Sequence, residues 1–161
     1  MVDSLLDLKH NNRTIFRMSV NPEYIIRNVE FGTSNLLGRI DAINKLVESG
    51  YKVGVIIAPI IMVENWKQLY YELVEILSQR LSKEAKDKVF FEMIFMTYSF
   101  VHNAINTEAF PNAIKIYDKE LMRGSGKGKY YYRNKPFDEG KEYVRGIVEK
   151  FFPSNTIEYI V

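Results

Sequence analysis

The segment Val53-Gly54-Val55-Ile56-Ile57-Ala58-Pro59-Ile60 contains no charged or hydroxyl-bearing side chain. A strand with one wet face alternates apolar and polar residues. A run without alternation belongs to a strand covered on both faces, as in a parallel sheet. The segment Val89-Phe90-Phe91-Glu92-Met93-Ile94-Phe95-Met96 repeats the pattern, with Glu92 as its one interruption. Between the two runs, Trp66, Leu69, Tyr70, Leu73, Val74, Ile76 and Leu77 recur at helical spacing. Ahead of the first run, Leu36, Leu37, Ile40, Ile43, Leu46 and Val47 do the same, and Gly50 follows as a C-cap glycine. Strands alternating with helices give right-handed crossovers and a parallel sheet, so the expected class is α/β.

The remaining elements extend this order. Residues 2–10 read as the end of a helix stopped by Asn11-Asn12. Residues 14–20, β-branched and partly alternating, read as a strand. Asn21 caps a short helix with Pro22 in its first turn, and Thr33 or Ser34 caps the helix that begins near Leu36. Pro59 marks the end of its strand. Residues 100–110 form a helix that stops at Pro111. Residues 123–133, centred on Gly124, Gly126 and Gly128, form a β-hairpin, and period-two alternation turns at least one of Tyr130, Tyr131 and Tyr132 toward the body of the domain. A helix over 138–151 and a short strand over 157–161 complete the chain. The expected division is 1–112 for the strand–helix repeats and 113–161 for the hairpin, helix and strand.

Composition limits the chemistry. The 161 residues include no cysteine, which excludes disulfides, thiolate nucleophiles and cysteine-held iron–sulfur clusters. A net charge of +2 is too mild to signal nucleic-acid binding by itself. His10 and His102 lie in different elements, so no metal site is expected. Glu64 and Glu92 have no spacing that supports paired acid–base work, and both are expected in surface or capping roles. The run Gly126-Lys127-Gly128-Lys129 lacks Walker A spacing and the Ser or Thr after the lysine. The longest apolar stretch is too short to cross a bilayer and the N-terminus does not read as a signal peptide, so a soluble intracellular protein without a membrane partner is expected.

Several stretches, in order, resemble spore photoproduct lyase: Val2-Asp3-Ser4-Leu5-Leu6-Asp7 with Lys9-His10-Asn11; Phe16-Arg17-Met18-Ser19-Val20-Asn21; Gly32-Thr33-Ser34; Gly50-Tyr51 with Ile56-Ile57-Ala58-Pro59-Ile60; Gly126-Lys127-Gly128-Lys129-Tyr130; and Phe151-Phe152-Pro153 with Ile157-Glu158-Tyr159. The combination, rather than any one stretch, carries the resemblance. It implies the C-terminal half of a partial (β/α)6 radical S-adenosylmethionine (SAM) barrel, with parallel strands and helices followed by a C-terminal β-hairpin, helix and short strand. It also implies an enzyme that uses SAM and a [4Fe–4S] cluster to open the spore photoproduct, a thymine dimer in DNA, and a location in the spore core, that is, the cytoplasm of the spore.

By the same resemblance Ser19 contacts the SAM cofactor, whereas by residue type alone it reads as a turn or cap serine. Arg123, Lys127, Lys129 and Tyr130 are the DNA-binding candidates: cations for phosphates and an aromatic ring for an unstacked base. Read without the resemblance, they are a solvated hairpin. The family usually carries Arg-Tyr just before its Gly-x-Gly-Lys-Tyr, whereas Gly124 and Ser125 stand there in this chain. Arg123 lies one residue earlier, a shift that reverses the face of a strand. The family's cluster cysteines, its hydrogen-donor cysteine and the tyrosines of its radical relay belong to the other half. The chain alone is therefore expected to bind no cluster, to have no catalytic residue of its own and to be inactive, as a truncated or split reading frame or a shortened chain. An N-terminal half polypeptide is the expected partner. The alternatives are a non-catalytic DNA-binding module and an inactive pseudogene product.

Overall fold

The computed structural model describes residues 2–124 and 126–161. Four parallel strands form the main sheet in the order β1-β2-β3-β7: β1 (Ile15–Val20), β2 (Lys52–Ile60), β3 (Phe90–Phe95) and β7 (Ile157–Ile160). The non-alternating runs are its two central strands, as burial on both faces requires. The helices α1 (Glu23–Val29), α2 (Leu36–Glu48), α3 (Trp66–Arg80) and α4 (Lys83–Lys88) lie in the crossovers. α2 packs on β1 and β2, and α6 (Asn134–Phe151) packs on α3. The C-terminal strand enters the main sheet beside β3, so residues from both ends of the chain share one core, with Phe91 against Phe152 at 4.9 Å between ring centroids.

A second, antiparallel sheet has the order β4-β6-β5. β5 (Met122–Gly124) and β6 (Lys129–Tyr132) are the expected hairpin. β4 (Tyr98–Ser99), just before α5 (Phe100–Ala109), adds a third strand.

Several local details differ from the sequence reading. Residues 2–10 hold one 3-10 turn, Asp3–Leu5, rather than the end of an α-helix, and Asn11 and Asn12 take positive φ after it. Asn35, not Thr33 or Ser34, caps α2 by accepting from Gly38 N at 2.9 Å. Thr33 instead donates to Glu30 O and accepts from Arg39. Asn21 caps nothing: it is fully buried and bonded to groups distant in sequence. β2 continues past Pro59 to Ile60, with a cis Ala58–Pro59 bond and a register irregularity between Ile57 and Ile60. α4 had no counterpart in the sequence reading, because its stretch Lys-Glu-Ala-Lys-Asp-Lys has a single buried residue, Ala85, and no periodic apolar face. No helix among the described residues is long and apolar enough to cross a membrane.

Candidate functional site

The two faces of the main sheet differ most at its β1 edge. On β1 the half-buried or buried Phe16, Met18 and Val20 alternate with the exposed Ile15, Arg17 and Ser19. The parallel register places Ser19 beside Ile56, Ile56 beside Glu92, and Glu92 beside Tyr159. These four side chains form one row on the face that carries the exposed β1 residues, with Glu92 buried in it. In the next row toward the strand N-termini, Arg17 lies beside Gly54 and Gly54 beside Phe90. A Cβ at residue 54 would sit 2.6 Å from the Phe90 ring, so the glycine is what lets Phe90 lie over β2.

Arg17 spans that gap. Its Nε donates to both carboxylate oxygens of Glu92, at 2.9 and 3.1 Å, and its guanidinium lies 5.8 Å from the centre of the Phe90 ring. The Glu92 side chain is 1% exposed and that of Arg17 is 50% exposed. The hydrogen bonds and charge of Glu92 raise the pKa of Arg17 above its ordinary value, so the guanidinium stays charged. Glu92 therefore has neither a surface nor a capping role, and Glu64 is exposed in the loop before α3. A lone carboxylate inside an otherwise apolar strand was the signal available in the sequence.

Ser19 lies near the carboxyl end of β1, where ligands of α/β sheets bind. Its hydroxyl donates to Ala58 O at 3.0 Å, which leaves the oxygen's lone pairs as acceptors. Beneath it lies a buried network. Arg39 donates to Ser19 O (3.2 Å), Ser34 O (2.8 Å), Glu30 Oε2 (2.5 Å) and Thr33 Oγ1 (2.8 Å). Glu30 Oε1 accepts from Asn21 Nδ2 at 2.6 Å, and Asn21 Nδ2 also donates to Pro59 O. Tyr70 accepts from Ile61 N at 2.8 Å, and burial pushes its pKa far up, so it stays a neutral donor toward Asn21 Oδ1 or Pro59 O. The carboxyl ends of β1 and β2 are thus fixed to α1, α2 and α3.

The hairpin is fixed to the same edge. Tyr132 accepts from Met62 N at 2.8 Å, just past β2, and burial pushes its pKa up to about 12. Tyr132→Phe leaves that buried N–H without an acceptor. It is expected to lower the unfolding free energy by about 1–3 kcal/mol, read from denaturant midpoints. A loss below about 0.5 kcal/mol, the scale of surface substitutions, would show that Met62 N finds another partner.

Pairing of Met122 with Tyr132, Arg123 with Tyr131 and Gly124 with Tyr130 assigns the hairpin's faces. Tyr130 turns inward, against Tyr117 (4.0 Å between centroids) and Phe100 (4.3 Å). Arg123, Lys129 and Tyr131 share the outer face, and Lys127 is exposed at the turn. Arg123, Gly124, Lys127, Tyr131 and Tyr132 line a shallow recess of about 570 Å³. The structure therefore brings three of the four DNA-binding candidates to the exposed side of the hairpin and sets Tyr130 apart from them. Ser125, the position of the departure from the Arg-Tyr pattern, lies outside the described residues.

The family model described as "Spore photoproduct lyase" matches residues 1–161. The chain belongs to the spore photoproduct lyase family. It is 35% identical over 162 aligned residues to spore photoproduct lyase of Geobacillus sp. (strain Y412MC61) and 36% identical to that of Bacillus subtilis (strain 168), in each case over 98% of this chain. The alignments cover 48% and 47% of those proteins, so the chain spans about half the length of the curated relatives it matches. A substituted spore photoproduct lyase solved with bound AdoMet and dinucleoside spore photoproduct superposes with a TM-score of 0.90 at 33% identity, over 99% of this chain and 48% of that one. Spore photoproduct lyase complexed with dinucleoside spore photoproduct gives 0.89 over the same shares. The α/β architecture with parallel strands and appended hairpin is thus that of half a spore photoproduct lyase. Among the described residues no group of three or more His, Cys, Asp or Glu is placed to hold a metal ion. With no cysteine in the chain, these residues do not fit a thiolate-held iron–sulfur cluster.

Proposed function

We propose that this chain is the substrate-facing C-terminal half of a spore photoproduct lyase, which serves reversal of the thymine dimer in spore DNA only when an N-terminal polypeptide supplies the cysteines. The observation that carries the reading is a sequence matching the family throughout while containing no thiolate. In this reading Ser19 offers its hydroxyl to the SAM cofactor at the carboxyl end of β1, and the hairpin receives DNA carrying the lesion through Arg123, Lys127 and Lys129. When bound, SAM with its cluster supplies the radical chemistry; this chain binds and orients. The outer edge of β1, which pairs with no strand among the described residues and has Ile15 exposed beside it, suits a further strand from the partner. In this reading the substrate lies in spore DNA, and the chain works in the spore core.

Anaerobic reconstitution of the purified chain with iron and sulfide should leave it without a cluster by metal analysis and absorbance. Lesion reversal should be undetectable for the chain alone and should appear when the N-terminal half of a relative is added. A stable cluster on this chain, or turnover without the second half, would overturn the reading. The hairpin geometry also favours a second reading, a DNA-binding module without catalysis. That module would bind DNA in a salt-sensitive manner but gain no activity on complementation.

A further inference from the structure

The outer face of the hairpin holds an arginine and a tyrosine directly opposite one another, Arg123 on β5 and Tyr131 on β6. Tyr131 is half-buried and stands between two unlike spaces. On one side is the basic recess with Arg123 and Lys127. On the other is an apolar recess of about 330 Å³ beyond the carboxyl end of β3, formed with Ile94, Met96, Phe137 and Val161. Tyr130, the aromatic residue next in sequence, already has its ring packed against Phe100 and Tyr117.

A DNA strand with one base out of the stack presents two chemistries close together: phosphates that need cations and a flat apolar base that needs an aromatic face. Arg123 donates from Nη2 to Asn134 Oδ1 at 3.0 Å, which holds the guanidinium on the outer face, and a guanidinium has five N–H donors in all. We propose that Tyr131 is the base-stacking residue of the hairpin, and that the apolar recess beside it takes an unstacked pyrimidine whose flanking phosphates meet Arg123 and Lys127. This rests on the DNA-binding reading above and assigns within it the residue that contacts the base.

The test is fluorescence anisotropy of a short end-labelled oligothymidylate titrated with the full chain at several salt concentrations. Tyr131→Ala and Tyr131→Leu should each weaken binding about tenfold, the loss of one stacked base, without changing the salt slope. Tyr131→Phe should bind as the parent does. Lys127→Ala should reduce the salt slope by about one. Thermal unfolding of each variant shows that the hairpin remains in place. Parent-like binding by both Tyr131→Ala and Tyr131→Leu, or a loss in Tyr131→Phe equal to that in Tyr131→Ala, overturns the assignment while leaving DNA binding intact. Absence of binding by the parent chain removes the DNA-binding reading itself, and this assignment with it.

Discussion

Replacing Arg39 by Ala is expected to lower the unfolding free energy by about 3–5 kcal/mol, the cost of stranding a buried charge. Domains have about 5–15 kcal/mol in all, so the variant should be marginal at ordinary temperature. The Arg39 side chain is 8% exposed and that of Glu30 15%. Without the guanidinium, Glu30 retains only the amide of Asn21, and the carbonyls of Ser19 and Ser34 lose their donor. Arg39→Lys should recover only part of the loss, because one ammonium cannot reach carbonyls and carboxylate in the fork that guanidinium provides. Arg39→Met with Glu30→Gln should be more stable than Arg39→Ala alone, since no buried charge is left unpaired. Urea unfolding checks all three. A midpoint for Arg39→Ala within error of the parent would mean that water replaces the network. The same substitution should loosen the carboxyl end of β1, where Ser19 sits, and amide exchange at residues 19–21 reports it.

The contrast between Arg39 and the elements around it shows what the sequence reveals. β2, β3 and the stripes of α2 and α3 were legible because each is a repeated local preference: unbroken apolar residues or a period near 3.6, ended by Gly50. Asn21 was misread because Asn before Pro is a good local N-cap. Its actual partners, Glu30, Pro59 and Tyr70, come from three other elements and exist only once the strands are aligned. The hairpin was visible in its glycines, but not which tyrosine faced which way. Three tyrosines in succession hide the alternation, and the phase comes from pairing with Met122, whose burial turns Tyr132 and Tyr130 inward. β4 has two residues, too few to carry a pattern. Ser19 was singled out through a family resemblance rather than by its chemistry, since an exposed serine at a strand end has no distinguishing neighbour in sequence.

Glu92→Lys is expected to prevent recovery of folded chain. The position is 1% exposed on a central strand, and the new ammonium would face the Arg17 guanidinium across the glycine gap at residue 54. An ammonium buried at position 92 without a carboxylate, and beside a like charge, is among the most destabilising kinds of substitution, against a domain total of about 5–15 kcal/mol. Glu92→Gln keeps an acceptor for Arg17 Nε and should fold, with a lower melting temperature. Arg17→Glu combined with Glu92→Lys restores opposite charges and should recover soluble protein that neither single reversal yields. Failure of the double reversal while Glu92→Gln folds would show that the site depends on arginine geometry and not on charge alone. Soluble, cooperatively unfolding Glu92→Lys would show that Arg17 swings into solvent and the pair contributes little. The interiors of closed barrels are mostly filled with branched apolar side chains. This sheet instead keeps an ion pair in the rows beneath and beside Ser19, on the face where Ile15, Arg17 and Ser19 are exposed. A face built with charge at its centre suits contact with a polar ligand or a polar partner surface better than closure against hydrocarbon.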